Sequence, residues 1–138
     1  MMFVDASVLV AVLAREPGWE QLFERLSRAE NLAVSALARF EAVTAIARVR
    51  SGGLPVTATA IAQADSSVID LIGDFGMVSL DLTAAVGAEA VSASARYGKI
   101  VRHPAALNLG DCFAYACAKS LGVPLLYKGN DFARTDLA

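Results

Sequence analysis

The stretch that most restricts how this chain can fold is LNLGDCFAYACAKSLGVPLLYKGNDF, from Leu107 to Phe132. It predicts a helix that begins after Asn108, a strong N-cap residue, and ends at Gly122, which suits the left-handed C′ position. Residues 124–127 (PLLY) then predict a buried parallel strand, and the loop that follows contains Asp131. A helix followed by a buried strand is the repeating unit of parallel sheets, so this stretch predicts an α/β fold.

The rest of the chain repeats this alternation of short apolar strands and helices. The other predicted strands are Met2–Val4, Asn31–Val34 and Met77–Leu80, and the other predicted helices begin near Asp5, Glu16-Pro17, Ser35, Thr57 and Thr83. Asp81 is expected to cap the last of these helices. The order β-α-α-β-α-α-β-α-α-β predicts a short parallel sheet with helices on both faces. A length of 138 residues is typical of one domain, which we expect to span residues 1–138.

Several classes of protein are disfavoured by what the sequence lacks. No G-x-G-x-x-G or phosphate-binding P-loop follows the first strand, where the turn is Asp5-Ala6-Ser7. The longest apolar run, 8–14, is too short to cross a membrane, and no Lys or Arg precedes the N-terminal apolar stretch as in a signal peptide. We therefore expect a cytoplasmic protein without a membrane partner. Cys112 and Cys117 lie about 140° apart around one helix, so they cannot form a disulfide with each other.

Four acidic residues occupy corresponding positions in the predicted elements. Asp5 and Asp131 each follow a strand, whereas Glu41 and Asp111 lie early in helices. Each has an ordinary structural explanation: Asp5 as an N-cap, Asp111 as a first-turn acid, Asp131 as a loop residue and Glu41 as part of a solvated helix face. Together, however, these positions converge on the edge of a parallel sheet where ligands bind.

Four carboxylates gathered at one edge would repel one another and shift toward the protonated form. Mg²⁺ or Mn²⁺, which prefer oxygen ligands, would relieve that repulsion. Zinc is disfavoured because the sequence has no cluster of Cys and His residues. The formal net charge of −2 argues weakly against a nucleic-acid ligand. Committing four of the 14 acids to metal would leave 10 carboxylates against 12 basic residues, which removes that objection.

Four sequence blocks resemble the motifs of the PIN domain, in particular those of the VapC-type toxins of bacterial toxin–antitoxin pairs. The blocks are FVDASVLVAVLAREPG (3–18), SALARFEA (35–42), HPAALNLGDCFAYACAK (103–119) and LLYKGNDFARTD (125–136), and together they span almost the whole chain in the family's order. GDCFAYA and KGNDF are the most specific contexts. The resemblance implies a PIN-like three-layer fold with strand order 3-2-1-4-5.

The resemblance also implies a metal-dependent endoribonuclease that hydrolyses RNA phosphodiester bonds. Its acidic cluster would be Asp5, Glu41, Asp111 and Asp131, with Asp5 and Asp111 as direct ligands of Mg²⁺ or Mn²⁺. Glu41 would ligate directly or through water, and Asp131 would complete the cluster or act from behind it. A homodimer is implied, as is a small antitoxin that inhibits by inserting a strand or helix, often with an arginine that reaches the acids.

Further polar residues near the motifs have both a structural and a functional interpretation. Ser7, Asn130 and Thr135 could donate hydrogen bonds to metal-bound water or phosphate, or could serve only as turn and cap residues. His103 is interpreted mainly as a loop residue. The basic residues around it, Arg96, Lys99 and Arg102, form either a solvated loop or a track for the RNA backbone.

Two choices are left open by the sequence. The helix that carries Trp19, Leu22, Phe23 and Leu26 at i, i+3, i+4 and i+7 is explained by core packing or by a groove for a partner. The alternatives to an RNA-cleaving toxin are a related PIN-type nuclease acting on DNA or flap structures, and a catalytically silent PIN module that binds a partner. The short chain argues against the first, and intact acids at all four positions argue against the second.

Overall fold

The computed structural model describes residues 1–138, which form a four-stranded parallel sheet and six α-helices. The strands are β1 (Met2–Val4), β2 (Leu32–Ser35), β3 (Val78–Leu80) and β4 (Leu125–Leu126). The helices are α1 (Ala6–Ala14), α2 (Trp19–Arg28), α3 (Ala36–Ser51), α4 (Ala58–Asp74), α5 (Ala84–Tyr97) and α6 (Leu109–Leu121). None of the helices is both long and apolar enough to cross a bilayer.

The strands are arranged in the order β3-β2-β1-β4. This confirms the predicted α/β fold and the first four positions of the expected order 3-2-1-4-5. The fifth strand is absent: after Leu126 the chain continues as turns to the C-terminus. The segment KGNDFARTD is rich in Gly, Asn and Asp, which favour turns over a further strand.

The sheet separates two apolar cores, which explains why its central strand β1 and its neighbour β4 are apolar at every position. Along β1, Phe3 belongs to the core formed with α5 and α6, whereas Val4 belongs to the core formed with helices α1 to α4. Leu125 and Leu126 in β4 divide in the same way. Successive side chains of a strand point to opposite faces, so a strand buried on both faces needs apolar residues at every position.

Most helix boundaries follow the capping residues that the sequence offers. Ser35, Thr57 and Asn108 each accept a hydrogen bond from the backbone N–H three residues later, and Gly122 ends α6 in the left-handed conformation. The prediction for Asp81 is wrong, because Thr83 caps α5 by accepting from the Val86 N–H at 3.2 Å. A threonine adjacent to the first helical residue has the geometry that the more distant aspartate lacks.

The predicted start of α2 at Glu16-Pro17 is also wrong. Arg15 and Gly18 both adopt positive φ angles, so residues 15–18 form a tight turn and the helix begins at Trp19. This turn redirects the chain out of α1. Leu22 and Leu26 are buried in the core, whereas Trp19 is half-buried and Phe23 is exposed. Core packing therefore explains only one side of the apolar stripe on α2.

Candidate active site

One cleft collects the four acidic residues that the sequence singled out. It opens where β1 and β4 end and where α1 and α6 begin, with α3 along one side, and its volume is about 520 Å³. The polar residues lining it are Asp5, Ser7, Glu16, Glu41, Thr44, Arg48, Asp111, Lys128 and Asp131. The structure therefore places acids from two strand ends and two helices at one edge of the sheet.

Asp5 is fixed by hydrogen bonds that also start α1. Its Oδ2 accepts from the backbone N–H of Ser7 at 3.1 Å and from the Ser7 hydroxyl at 2.5 Å. The Ser7 hydroxyl oxygen in turn accepts from the backbone N–H of Lys128 at 3.0 Å. Ser7 therefore ties the loop after β4 to the carboxylate at the end of β1. Asp5 is only 6% exposed, so it has little freedom to leave this position.

Asp111 is held by the capping box of α6. Its Oδ2 accepts from the backbone N–H of Asn108 at 3.1 Å, while the Asn108 side chain accepts from the Asp111 N–H at 2.9 Å. Two backbone donors at the helix start are thereby satisfied reciprocally. The structural and functional interpretations of Asp5 and Asp111 do not compete, because each caps a helix with one oxygen while its carboxylate lines the cleft.

Glu41 reaches the cleft by resting against the backbone of Gly110. An added Cβ at Gly110 would clash with both oxygens of the Glu41 carboxylate, so the two residues are in close contact. The carboxylate lies there at the positive end of α6, which favours an anion. Gly110 was missed by the sequence reasoning. Its position in the sequence could have indicated this role, because glycine lowers the stability of a helix and here it directly precedes a candidate ligand in the first turn.

Asp131 differs from the other three acids because it is exposed and belongs to a turn rather than to a helix or strand. The turn depends on Gly129, whose φ of +94° is in the region that favours glycine. The negative charge of Asp131 adds to the increase in the pKa values of Asp5 and Asp111. Its position at the mouth of the cleft leaves its side chain more freedom than those of Asp5 and Asp111.

Burial and mutual repulsion raise the pKa values of the three inner acids. For Glu41 the pKa rises to about 7, mainly through burial and then through the charges of Asp5 and Asp111. For Asp111 it rises to about 6, with burial as the main cause, the Asn108 N–H opposing it and the neighbouring acids adding to it. Burial also raises the pKa of Asp5, although the hydrogen bonds from Ser7 oppose the increase.

None of these four carboxylates has a cationic partner. The chain contains four salt bridges, and the only one in the cleft joins Lys128 to Glu16 at 3.2 Å. No three of the carboxylates are gathered into a compact ligand cluster, as expected for like charges that repel one another. The donor set is nevertheless entirely carboxylate and hydroxyl oxygen, with no Cys or His in the cleft, which fits Mg²⁺ or Mn²⁺.

The remaining predicted site residues lie at different distances from this cleft. Ser7 lines it, whereas Asn130 and Thr135 do not. Thr135 is buried, donates from its hydroxyl to the Phe132 carbonyl at 2.8 Å and accepts from the Leu137 N–H at 3.2 Å. The structure thus places its hydroxyl within the C-terminal turns.

The histidine and the basic residues around it also lie outside the lining of the cleft. The ring of His103 accepts from the Ala105 N–H at 3.0 Å and packs against Tyr97. Arg96 donates to the hydroxyl of Tyr97 at 2.7 Å. These contacts stabilise the connection between α5 and α6. The basic residues that do line the cleft, Arg48 and Lys128, were not singled out by the sequence.

The fold and the cleft together define an α/β protein with four carboxylates, none of them in a salt bridge, at one edge of its parallel sheet. The chain belongs to the PIN domain family, whose model matches residues 2–137. It is 50% identical to a VapC ribonuclease of Rhizobium meliloti, with 99% of each chain covered. It is 37% identical to ribonuclease VapC30 of Mycobacterium tuberculosis, with 99% of this chain and 96% of the relative covered.

Solved structures show the same fold. The sarcin-ricin loop cleaving toxin VapC20 of Mycobacterium tuberculosis superposes with a TM-score of 0.70 and 15% identity, covering 100% of this chain and 97% of that one. A chain of a toxin–antitoxin complex from Klebsiella pneumoniae gives a TM-score of 0.63 with 14% identity, covering 99% and 93%. The resemblance drawn from the four sequence blocks is confirmed at the level of family and fold.

Proposed function

We propose that this chain is a metal-dependent endoribonuclease and the toxin of a toxin–antitoxin pair, with residues 1–138 acting as one PIN domain in the cytoplasm. The observation that carries the proposal is a cleft in which four carboxylates converge and none is paired with a lysine or arginine. The names of the relatives support the same activity, since a ribonuclease that is 50% identical aligns over 99% of both chains.

Asp5 and Asp111 are the proposed direct ligands of Mg²⁺ or Mn²⁺, with Glu41 ligating directly or through water. Asp131 either is a further ligand or acts on the ligands without touching the cation. When bound, such cations activate water and stabilise the charge that develops on the phosphate and the leaving oxygen. The raised pKa values of the inner acids support this assignment, because a divalent cation among them would favour their ionised forms.

The chain's own contribution is to hold these oxygens in place before the substrate arrives. Ser7 orients one oxygen of Asp5, and the capping box orients one oxygen of Asp111. Each carboxylate keeps its second oxygen free of these bonds. Gly110 lets the Glu41 carboxylate approach the same space from α3. Ligands that are preorganised in this way do not have to be ordered again for each catalytic cycle.

Purified protein and a structured RNA test this function directly. Cleavage should stop in EDTA and return when excess Mg²⁺ or Mn²⁺ is added, whereas zinc should restore it poorly. Single-stranded DNA of the same sequence is the control substrate. Mapping the new RNA ends after brief expression in cells would identify the target. Cleavage that persists through chelation would rule out the proposed mechanism.

An antitoxin would have two features of this chain to bind. One is the acidic cleft, where a partner's arginine could pair with Asp5 and Asp111 in place of the cation, and a guanidinium suits carboxylates better than an ammonium does. The other is the edge of α2, where Trp19 is half-buried and Phe23 is 43% exposed. Calorimetry with the purified antitoxin should show weaker binding for Trp19→Ala and a smaller loss for Asp111→Asn. Unchanged affinity in both would place the partner elsewhere.

A homodimer is also part of the proposal. Exposed apolar side chains surround a groove of about 550 Å³ between α5 and the start of α6, and Ile100 and Leu109 are 83% and 70% exposed. Apolar surface of this kind is typical of an interface between subunits. Sedimentation equilibrium should give a dimer for the wild type and a monomer for Ile100→Glu. A wild type that stays monomeric at high concentration would contradict it.

A further inference from the structure

The cleft contains two basic residues, and only one of them is already engaged. Lys128 lies 3.2 Å from the carboxylate of Glu16, so its charge is largely balanced within the chain. Arg48 is exposed, forms none of the chain's salt bridges and makes no side-chain hydrogen bond. A guanidinium with no partner inside the chain therefore lines the same cleft as the four candidate ligands Asp5, Glu41, Asp111 and Asp131, which also form no salt bridge.

The other two arginines of α3 show that this freedom is particular to Arg48. Arg39 makes two hydrogen bonds of 2.9 Å to Asp65 on α4, and Arg50 donates to Ser67 on α4 at 3.0 Å. Both therefore serve the contact between α3 and α4. Arg48 faces the opposite way, together with Glu41 and two residues at intermediate positions along the helix.

Spacing along α3 determines which group Arg48 can reach. The residues of α3 that line the cleft are Glu41, Thr44, Ala45 and Arg48, which follow i, i+3, i+4 and i+7 on one face. Seven residues correspond to about 10.5 Å along the helix axis. Arg48 is also in the last turn of α3, where the helix dipole favours a cation. Arg48 thus begins two turns along α3 from Glu41, and no salt bridge joins the two side chains.

We propose that Arg48 binds a phosphate of the RNA substrate next to the phosphodiester that is cleaved, and this rests on the proposed ribonuclease function. Guanidinium groups recognise phosphate with two parallel hydrogen bonds, and an Arg48 with no internal partner loses none on binding. RNA fits this position better than an arginine-bearing peptide, because the peptide would bring a second positive charge toward Arg48. The residue therefore sets the register of the strand and not the chemistry.

The test compares Arg48→Gln with Arg50→Gln, a matched change two residues further along the same helix. With a short RNA that contains a single cleavage site, Arg48→Gln should raise KM about tenfold and leave kcat within about twofold, as expected for loss of one charged hydrogen-bonding contact. The dependence of log KM on log salt concentration should become shallower by about 0.7 for one lost phosphate contact on a single strand. Arg48→Lys should give a KM between those of Arg48→Gln and the wild type. Arg50→Gln should have the KM and kcat of the wild type.

Equilibrium binding separates this inference from the proposed function. The same RNA is titrated into Asp5→Asn protein, which is not expected to cleave it, with and without Arg48→Gln. About tenfold weaker binding supports the phosphate contact, whether or not the wild type cleaves that RNA. Equal affinity and an equal salt dependence overturn it even if the wild type is an active ribonuclease. Unchanged RNA binding with weaker antitoxin binding would assign Arg48 to the protein partner instead.

Discussion

The two ends of α6 hold carboxylates in opposite electrostatic surroundings. At the first turn, Asp111 lies among other acids, has no basic partner, and its pKa is raised to about 6 by burial and then by its neighbours. At the far end, Asp136 is bound by Lys119 at 2.6 Å and by the hydroxyl of Tyr115 at 2.6 Å. Both contacts lower the pKa of Asp136, and the contact with Lys119 has the larger effect.

The difference separates a polar cluster that is satisfied within the chain from one that, in the proposed function, binds a ligand. The Asp136 network fastens the C-terminal turns to α6 and is satisfied within the chain. The cleft gathers charge that the chain itself does not balance, and this costs stability until a cation or a partner binds. Changes in the cleft should therefore affect function with little loss of stability, and changes in the network should do the opposite.

The largest expected effect is the loss of cleavage in Asp5→Asn and Asp111→Asn. Asparagine caps a helix as well as aspartate does, so the fold should be retained while a ligand charge is lost. We expect RNA cleavage to fall by at least about 100-fold, since even residues that only support a metal ligand cost 10–100-fold. The measurements are cleavage rate and growth arrest without antitoxin. Equal toxicity at matched soluble expression would refute the assignment, and Asp136→Asn, in the other cluster, is the control expected to remain toxic.

Gly110→Ala should reduce cleavage without removing any acid. The new methyl group would push aside the Glu41 carboxylate, a flexible group that can move without disturbing the fold. Displacing a ligand in this way should cost about 10- to 100-fold in activity, with a melting temperature close to that of the wild type. Gly87→Ala on α5 is the matched control, because its added Cβ meets nothing within 4 Å. Equal activity of both variants would mean that the position of Glu41 is not critical.

The two clusters should respond to pH in opposite directions. The pKa of Glu41 in the folded protein, about 7, exceeds its ordinary value of 4.5, so the folded state binds more protons between these values. Stability of the metal-free protein should therefore fall as pH rises from about 4.5 to 7. Asp136 has a lowered pKa, so its contribution is present above 3.8 and is lost only as pH falls below that value.

Thermal unfolding in the presence of EDTA, from pH 4.5 to 7.5, tests this difference. Glu41→Gln should flatten the decline, although Asp5 and Asp111 also have raised pKa values and will preserve part of it. Asp136→Asn should leave the slope in this range unchanged. A wild type whose stability rises steadily across the range would contradict the account of the cleft.

The smallest expected effect is on stability in Tyr115→Phe. Its hydroxyl donates to Asp136 and accepts from Arg96 at 3.3 Å in a fully buried position, so its removal should cost about 1–2 kcal/mol of unfolding free energy. Lys119 still pairs with Asp136, which limits the loss. Urea denaturation measures the stability, and cleavage should stay within about twofold of the wild type. A large loss of activity in a stable variant would show that the network positions the cleft.

Residues close together in the sequence determined the helix ends, the buried strands and two of the candidate site residues. Asn108 and Gly122 define α6 because capping is a contact between residues three or four positions apart. Apolar residues at successive positions of β1 predicted a strand buried on both faces, and the two cores confirm it. Asp5 and Asp111 could be chosen as candidate metal ligands because the sequence shows where a strand ends and where a helix begins.

The tertiary structure decided which side chains from separate helices share the cleft. The periodicity of α3 left Glu41 equally suited to a solvated face, and nothing near Arg48 distinguished it from Arg39, which pairs with Asp65 on α4. Gly110 acquires its role only because α3 passes close enough for Glu41 to touch its backbone. Such approaches depend on how helices pack across the sheet, and packing is set by contacts between residues far apart in sequence.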